Sequence, residues 1–213
     1  MRMRRKPNLA ARISKCSEYL VEQPGELRGN WLGEFGFSKL YIEIGCGKGR
    51  FTVESAKAEP DILFAALEKT ENVMVIALER AMAESQCNVR FLSVFADDLA
   101  DYFAPGEASR IYLNFCDPWP AGRHAKRRLT SRRFIELYSR VLCPGGEIHF
   151  KTDNPSLFDF SLREFEFCGY TPLDITRNLH EHGPVGVMTD YELRFHSQGF
   201  AIHSASFVNR SCE

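Results

Sequence analysis

The chain has 213 residues, 44% of them apolar and 26% charged, ordinary figures for a folded domain that exclude disorder as the main state. This length suits one domain of α/β or all-β size, with a core large enough to stand without disulfide or metal staples. A formal net charge of −1 gives no overall field for a polyanion, so any nucleic-acid contact must come from local clusters of cations.

Residues 1–39 contain Pro24, Gly25, Gly29, Gly33 and Gly36 and show weak periodicity. They are expected to form a basic extension packed on a catalytic domain at 40–213, with the first dozen residues loosely held. Short apolar runs then alternate with helical patterns. Strands are predicted at Leu40–Ile44, Ile62–Leu67, Val89–Phe95, Arg110–Phe115 and Glu147–Lys151, with a later pair near Thr171–Arg177 and Phe200–Val208. Apolar spacing predicts helices over Arg50–Ala58, Thr70–Ser85, Ser131–Val141 and Pro155–Phe167. Thr70 is placed to cap the second, Pro155 suits a first helical position, and Pro144-Gly145-Gly146 ends the helix before it. This alternation points to a doubly wound α/β fold, a parallel sheet with helices on both faces.

Seven cysteines, Cys16, Cys46, Cys87, Cys116, Cys143, Cys168 and Cys212, are odd in number and lack any C-x-x-C pair. Reduced thiols are expected, and neither a disulfide framework nor a zinc site. No apolar region follows Met1-Arg2-Met3-Arg4-Arg5-Lys6-Pro7, and no run of apolar residues is long enough to span a bilayer. A cytoplasmic protein without membrane or metal partners is the expectation.

Tyr41-Ile42-Glu43-Ile44-Gly45-Cys46-Gly47-Lys48-Gly49-Arg50 is a predicted strand running through three alternating glycines into a helix, where a ligand can approach bare backbone. The dinucleotide fingerprint needs a further glycine at the position of Arg50, so a nicotinamide cofactor fits poorly. S-adenosyl-L-methionine has an ammonium and a ribose diol, and acids should line its site. Glu43 is placed for the first and Glu68, at the end of the second strand, for the second. The alternative is a tight turn with two solvated glutamates.

Asn114-Phe115-Cys116-Asp117-Pro118-Trp119-Pro120 follows the fourth strand, at the end of the sheet where open α/β folds bind ligands. Asp117 suits a base's N–H groups and Trp119 suits stacking, against the alternative of a core tryptophan. Arg123-His124-Ala125-Lys126-Arg127-Arg128-Leu129-Thr130-Ser131-Arg132-Arg133 holds six Lys or Arg and no acid. It reads as a phosphate-binding patch, the alternative being a solvated charged face. Arg2, Arg4, Arg5, Lys6, Arg12 and Lys15 form a second cluster. His180-Glu181-His182 lacks a third ligand and reads as a surface loop, and Cys46 and Cys116 as small wall or core residues.

The segments Glu43-Ile44-Gly45-x-Gly47-Lys48-Gly49, Tyr112 to Pro120, Arg123-His124-x-Lys126-Arg127-Arg128-Leu129-Thr130, Phe150-Lys151-Thr152-Asp153-Asn154 and Thr189-x-Tyr191-Glu192 together resemble the bacterial tRNA (guanine-N7-)-methyltransferases, from about Leu40 to Phe207. The resemblance implies a Rossmann-like methyltransferase fold with seven strands, mostly parallel with one reversed near the end. It implies methyl transfer from S-adenosyl-L-methionine to N7 of a guanine in the variable loop of tRNA. Glu43, Gly45, Gly47, Glu68, Phe95, Asp97 and Asp117 would bind the cofactor, and Asp117 would be catalytic. Arg123, His124, Lys126, Arg127 and Arg128 would touch RNA; Asp153, Thr189, Asp190, Tyr191 and Glu192 would hold the target nucleotide. Two positions depart from the pattern: Phe95, where the family usually carries Asp, and Ala121, where lysine is common. A methyltransferase of the same fold acting on another RNA or a small molecule, and a non-catalytic RNA-binding module with a decayed cofactor pocket, are the alternatives. Oligomeric state is left open.

Overall fold

The computed structural model describes residues 6–209. Arg2, Arg4, Arg5 and Cys212 lie outside the described residues. One sheet carries β1 (Lys39–Ile44), β2 (Ile62–Leu67), β3 (Val89–Leu92), β4 (Ala108–Asn114), β5 (Leu142–Thr152), β6 (Tyr170–Thr176) and β7 (His203–Asn209). Their order is β3-β2-β1-β4-β5-β7-β6. Strand β7 runs against both β5 and β6, and the remaining pairs are parallel. This is the mostly parallel sheet with one reversed strand that the resemblance implies.

Side chains alternate across each strand, and two core layers follow. Leu40, Ile42 and Ile44 join Leu63, Ala65, Leu67, Ile111 and Leu113 on one face. Tyr41, Phe64, Ala66 and Tyr112 lie on the other. The second face is covered by α3 (Arg50–Ala58) and α4 (Glu71–Ala83), through Phe51, Val53, Met74 and Leu78. The first is covered by α6 (Arg132–Val141) and α7 (Pro155–Phe167). The same alternation carries two polar residues into the second layer. Glu43 follows Tyr41 by two, and Asn114 follows Tyr112, which is paired with Glu43.

Residues 6–39 pack onto the same core. They include two short helices, Leu9–Lys15 and Trp31–Phe35. Trp31 is fully buried, donates from Nε1 to the carbonyl oxygen of Tyr102 at 2.9 Å, and stacks on Phe103. Glu107 accepts the N–H groups of Gly29, Trp31 and Ala104. From Leu9 the chain is helical and is held to α4 by a bidentate Arg12–Glu79 pair at 2.6 Å, where loosely held residues were expected.

Two local expectations change, those for Thr70 and for residues 144–146, and the one for Pro155 holds. Thr70 precedes α4 without a side-chain cap; its backbone N–H donates to Glu68 instead, at 2.9 Å. Asn154 caps α7 by accepting the Leu157 N–H at 2.8 Å, with Pro155 at the first position. Strand β5 begins directly after α6, and residues 143–146 bulge out between the pairs Ala108↔Leu142 and Arg110↔Glu147. No helix among the described residues is long and apolar enough to cross a membrane.

Candidate active site

The sheet order reverses between β1 and β4, and the carboxyl ends of these strands open into two clefts. One, of about 390 Å³, is lined by Gly45, Glu68, Phe95, Asp97, Asp117, Trp119 and Arg127 among others. The second, of about 380 Å³, lies between the glycine loop and α8 (Asp190–Ser197), with Glu43, Gly47, Arg50 and Tyr191 on its walls. Both clefts reach Gly45, Asn114 and Phe115.

The three loop glycines all have positive φ, at 82°, 59° and 72°, but they serve different ends. A Cβ on Gly45 or Gly47 would meet nothing within 4 Å, whereas on Gly49 it would lie 2.5 Å from the Cβ of Ala77. The first two leave backbone open to the clefts; the third lets α3 touch α4. The N–H groups of Gly45 and Cys46 both donate to the Leu67 carbonyl, at 2.8 and 2.9 Å, tying the loop to β2.

Glu43 is buried. One carboxylate oxygen accepts from the Thr52 hydroxyl, the other from the Asn114 amide at 2.9 Å. Burial raises its pKa, and those two donors pull it down. Glu68 accepts the N–H groups of Gly47 and Thr70 at 3.2 and 2.9 Å, which fixes it at the lip of the first cleft. Phe95 is 59% exposed on the same lip. Asp97, the nearby acid, is ion-paired with Arg133.

Asp117 is exposed and takes no hydrogen bond or ion pair among the described residues. The corner that presents it is strained: Phe115 and Trp119 have φ of 51° and 40°, a conformation costing about 1–3 kcal/mol for each non-glycine residue. Several contacts hold it. Phe115 donates its N–H to the Lys151 carbonyl at 2.9 Å, and Arg128 donates to the carbonyls of Pro118 and Trp119 at 2.9 and 3.1 Å. Trp119 stands in the cleft wall rather than the core, with the Arg127 guanidinium 5.0 Å from its ring and His124 edge-on.

The basic run divides. Arg123, Lys126 and Arg127 are exposed and pair with no acid among the described residues. Arg128 is occupied by the corner, Arg132 by Glu164 at 3.1 Å, and Arg133 by Asp97. The run contains no acid, but the fold brings two acids to it.

Across the second cleft, Tyr191 donates to Asp153 at 3.4 Å and lies 5.0 Å from the Phe115 ring. Thr189 and Glu192 form a capping box at the start of α8. Asp190 is paired with Arg80 at 3.1 Å. Glu192 faces the interior, fully buried, and accepts from Lys151 at 3.1 and 3.3 Å and from His180 at 2.9 Å. The segment is the expected surface loop at Glu181 and His182, which are exposed in a turn, but His180 is buried as well. Its Nδ1 accepts the Val185 N–H at 3.1 Å, which assigns the ring proton to Nε2, facing Glu192. Among the described residues no group of three or more His, Cys, Asp or Glu is placed to hold a metal. Burial raises the thiol pKa of Cys46, and that of Cys116 to about 12, as suits wall residues.

Sequence reasoning assigned no role to Asn114, Lys151 or Thr52. Asn114 was detectable as the one polar side chain closing an apolar strand beside the reversal point, and Thr189-x-x-Glu192 carries the capping-box spacing.

The family model described as "Putative methyltransferase" matches residues 38–205. A tRNA (guanine-N(7)-)-methyltransferase of Geobacillus kaustophilus is 43% identical over 210 residues, covering 98% of this chain and 97% of its own. Its counterpart in Bacillus cytotoxicus is 43% identical over 205 residues, covering 95% of this chain and 94% of its own. Among solved structures, the 16S rRNA methyltransferase KamB matches with a TM-score of 0.63 at 17% identity, over 81% of this chain and 88% of its own. A precorrin-6y C5,15-methyltransferase from Geobacter metallireducens matches at 0.56 and 13%, over 96% and 94%. These two show the fold alone. With a matching family model over most of its length and relatives of such identity end to end, the chain belongs to the tRNA (guanine-N(7)-)-methyltransferase family.

Proposed function

We propose that this chain transfers a methyl group from S-adenosyl-L-methionine to N7 of a guanine in tRNA, within the variable loop. The observation that carries the reading is Asp117, an acid without a partner among the described residues, lining the first cleft together with the open backbone of Gly45, through which that cleft adjoins the second. The first cleft fits the cofactor's nucleoside: Gly45 leaves room against backbone, Glu68 suits a ribose diol, and exposed Phe95 offers a face to adenine, while Gly47 leaves backbone open on the adjoining second cleft. Glu43, on the wall of the second cleft, keeps lone pairs for the ammonium. Asp97 is placed to reach adenine only at the expense of Arg133. When bound, the cofactor supplies a methyl group on a positively charged sulfur.

Guanine N7 bears no proton and its lone pair lies in the ring plane, so the protein's task is alignment rather than proton removal. Asp117 and Asp153 would accept from the N1 and N2 groups of the purine. Positive charge grows on the ring as the methyl arrives, and these carboxylates bind it more tightly as it does. Tyr191 would face the base. Arg123, His124, Lys126 and Arg127 would take RNA phosphates. Arg128, Thr189, Asp190 and Glu192 would set the corner and α8 that carry the contacts. Incubation of unmodified tRNA with methyl-labelled cofactor, followed by mapping of the label, tests the reading. Label on N7 of one variable-loop guanine is the expected result; no label, or label on another atom, overturns it.

A further inference from the structure

The second cleft carries positive charge that the fold leaves unneutralised. Lys48 and Arg50 reach it from the glycine loop and the first turn of α3, and Arg194 from α8. None of the three makes an ion pair or a side-chain hydrogen bond among the described residues. Of the acids on the same walls, Asp190 is ion-paired with Arg80, and Glu43 is buried against the Thr52 hydroxyl and the Asn114 amide and pairs with none of the three cations, which leaves the cations in excess. The Nε of Arg50 is buried with no acceptor among the described residues. A buried donor left unsatisfied is costly, and like charges gathered in one cleft repel, so an anion would relieve both. The nine-residue helix α3 also points its N-terminus at this loop, adding unpaired amides and the positive end of its dipole.

We propose that Lys48, Arg50 and Arg194 form a phosphate subsite that takes an RNA phosphodiester adjacent to the target nucleotide. The polymer would then be held from two sides of the site, by this cluster and by Arg123, Lys126 and Arg127. The inference rests on the tRNA methyltransferase reading. The cofactor's carboxylate has similar anion chemistry, but two features favour the RNA. Lys48 and Arg194 are exposed, where a polymer passes. Tyr191, 42% exposed on the same wall, gives a stacking face beside the cations, and phosphate plus base is the signature of a nucleotide unit.

The double variant Lys48→Ala, Arg194→Ala separates the two sources, since both side chains are exposed and their loss leaves the core intact. tRNA affinity is measured against salt concentration, and S-adenosyl-L-methionine affinity is measured without RNA. Loss of two phosphate contacts should flatten the log–log salt slope by about 1.4 to 1.8 and leave cofactor affinity within about twofold, a margin set by ordinary surface-substitution effects. An unchanged slope overturns the proposal, and a loss of cofactor affinity in place of the slope change assigns the cluster to the carboxylate. Arg50→Gln, checked for folding by thermal unfolding, should move the slope in the same direction. Failure of the parent chain to bind tRNA would instead sink the underlying reading.

Discussion

Arg127 and Arg128 are adjacent in sequence and have different work. Arg127 stands over the Trp119 ring with no acid partner among the described residues. Arg128 donates to two carbonyls of the strained corner. Arg127→Ala should weaken tRNA binding and leave the urea midpoint unchanged. Arg128→Ala should lower stability by roughly 1.5–3 kcal/mol, the scale for hydrogen bonds from a charged donor, and reduce turnover by releasing Asp117 from its place. Paired measurements of urea midpoint and tRNA affinity check both; equal behaviour of the two variants would contradict the division. Residue type and position pointed to Asp117, an acid at the carboxyl end of the fourth strand, where open α/β sheets bind ligands. The partner of Arg128 was not legible, since backbone carbonyls carry no sequence signature. The pairing of Arg132 and Arg133 was hidden because Glu164 and Asp97 come from other elements.

The glycine loop shows how one motif is divided among elements. Gly49→Ala would place a methyl 2.5 Å from the Ala77 Cβ, in a backbone at φ 72°. Overpacking costs typically about 1–3 kcal/mol, and a left-handed non-glycine residue adds about 1–2. The melting temperature should drop by several degrees; an unchanged value would show that the α3–α4 contact is slack. Most elements followed from apolar period: β2, α3 and α7 begin and end where predicted. Helix α8 did not, because Tyr191 and Leu193 are exposed and blur the apolar stripe that reveals a buried helix face. Residues 143–146 bulge from β5, so a proline and two glycines that read as a helix stop also begin a strand.

On the scale of the whole molecule, near-neutral net charge conceals a local excess of cations on both walls of the site. Protonation also sets stability. Burial holds the pKa of His149 below its ordinary value, with Arg110 adding and Glu147 opposing, and burial lowers that of His203 as well. The native state then binds fewer protons than the unfolded chain, so stability is lost as pH falls below about 6.5. Glu43, whose pKa burial raises, acts in the opposite sense. The contribution of His149 is isolated by its variant: the fall in urea midpoint between pH 7.5 and 5.5 should be smaller in His149→Gln than in the parent chain. Equal falls would show that His149 does not titrate differently on unfolding.

The catalytic account turns on Asp117 acting as the chain's own partner for the reacting purine. Its direct test is the single-turnover rate of methyl transfer by Asp117→Asn, with tRNA and S-adenosyl-L-methionine affinities measured separately. The predicted result is a rate lower by about one to two orders of magnitude, the equivalent of one charge-assisted hydrogen bond gained in the transition state, with both affinities little changed. An unaltered rate would contradict it.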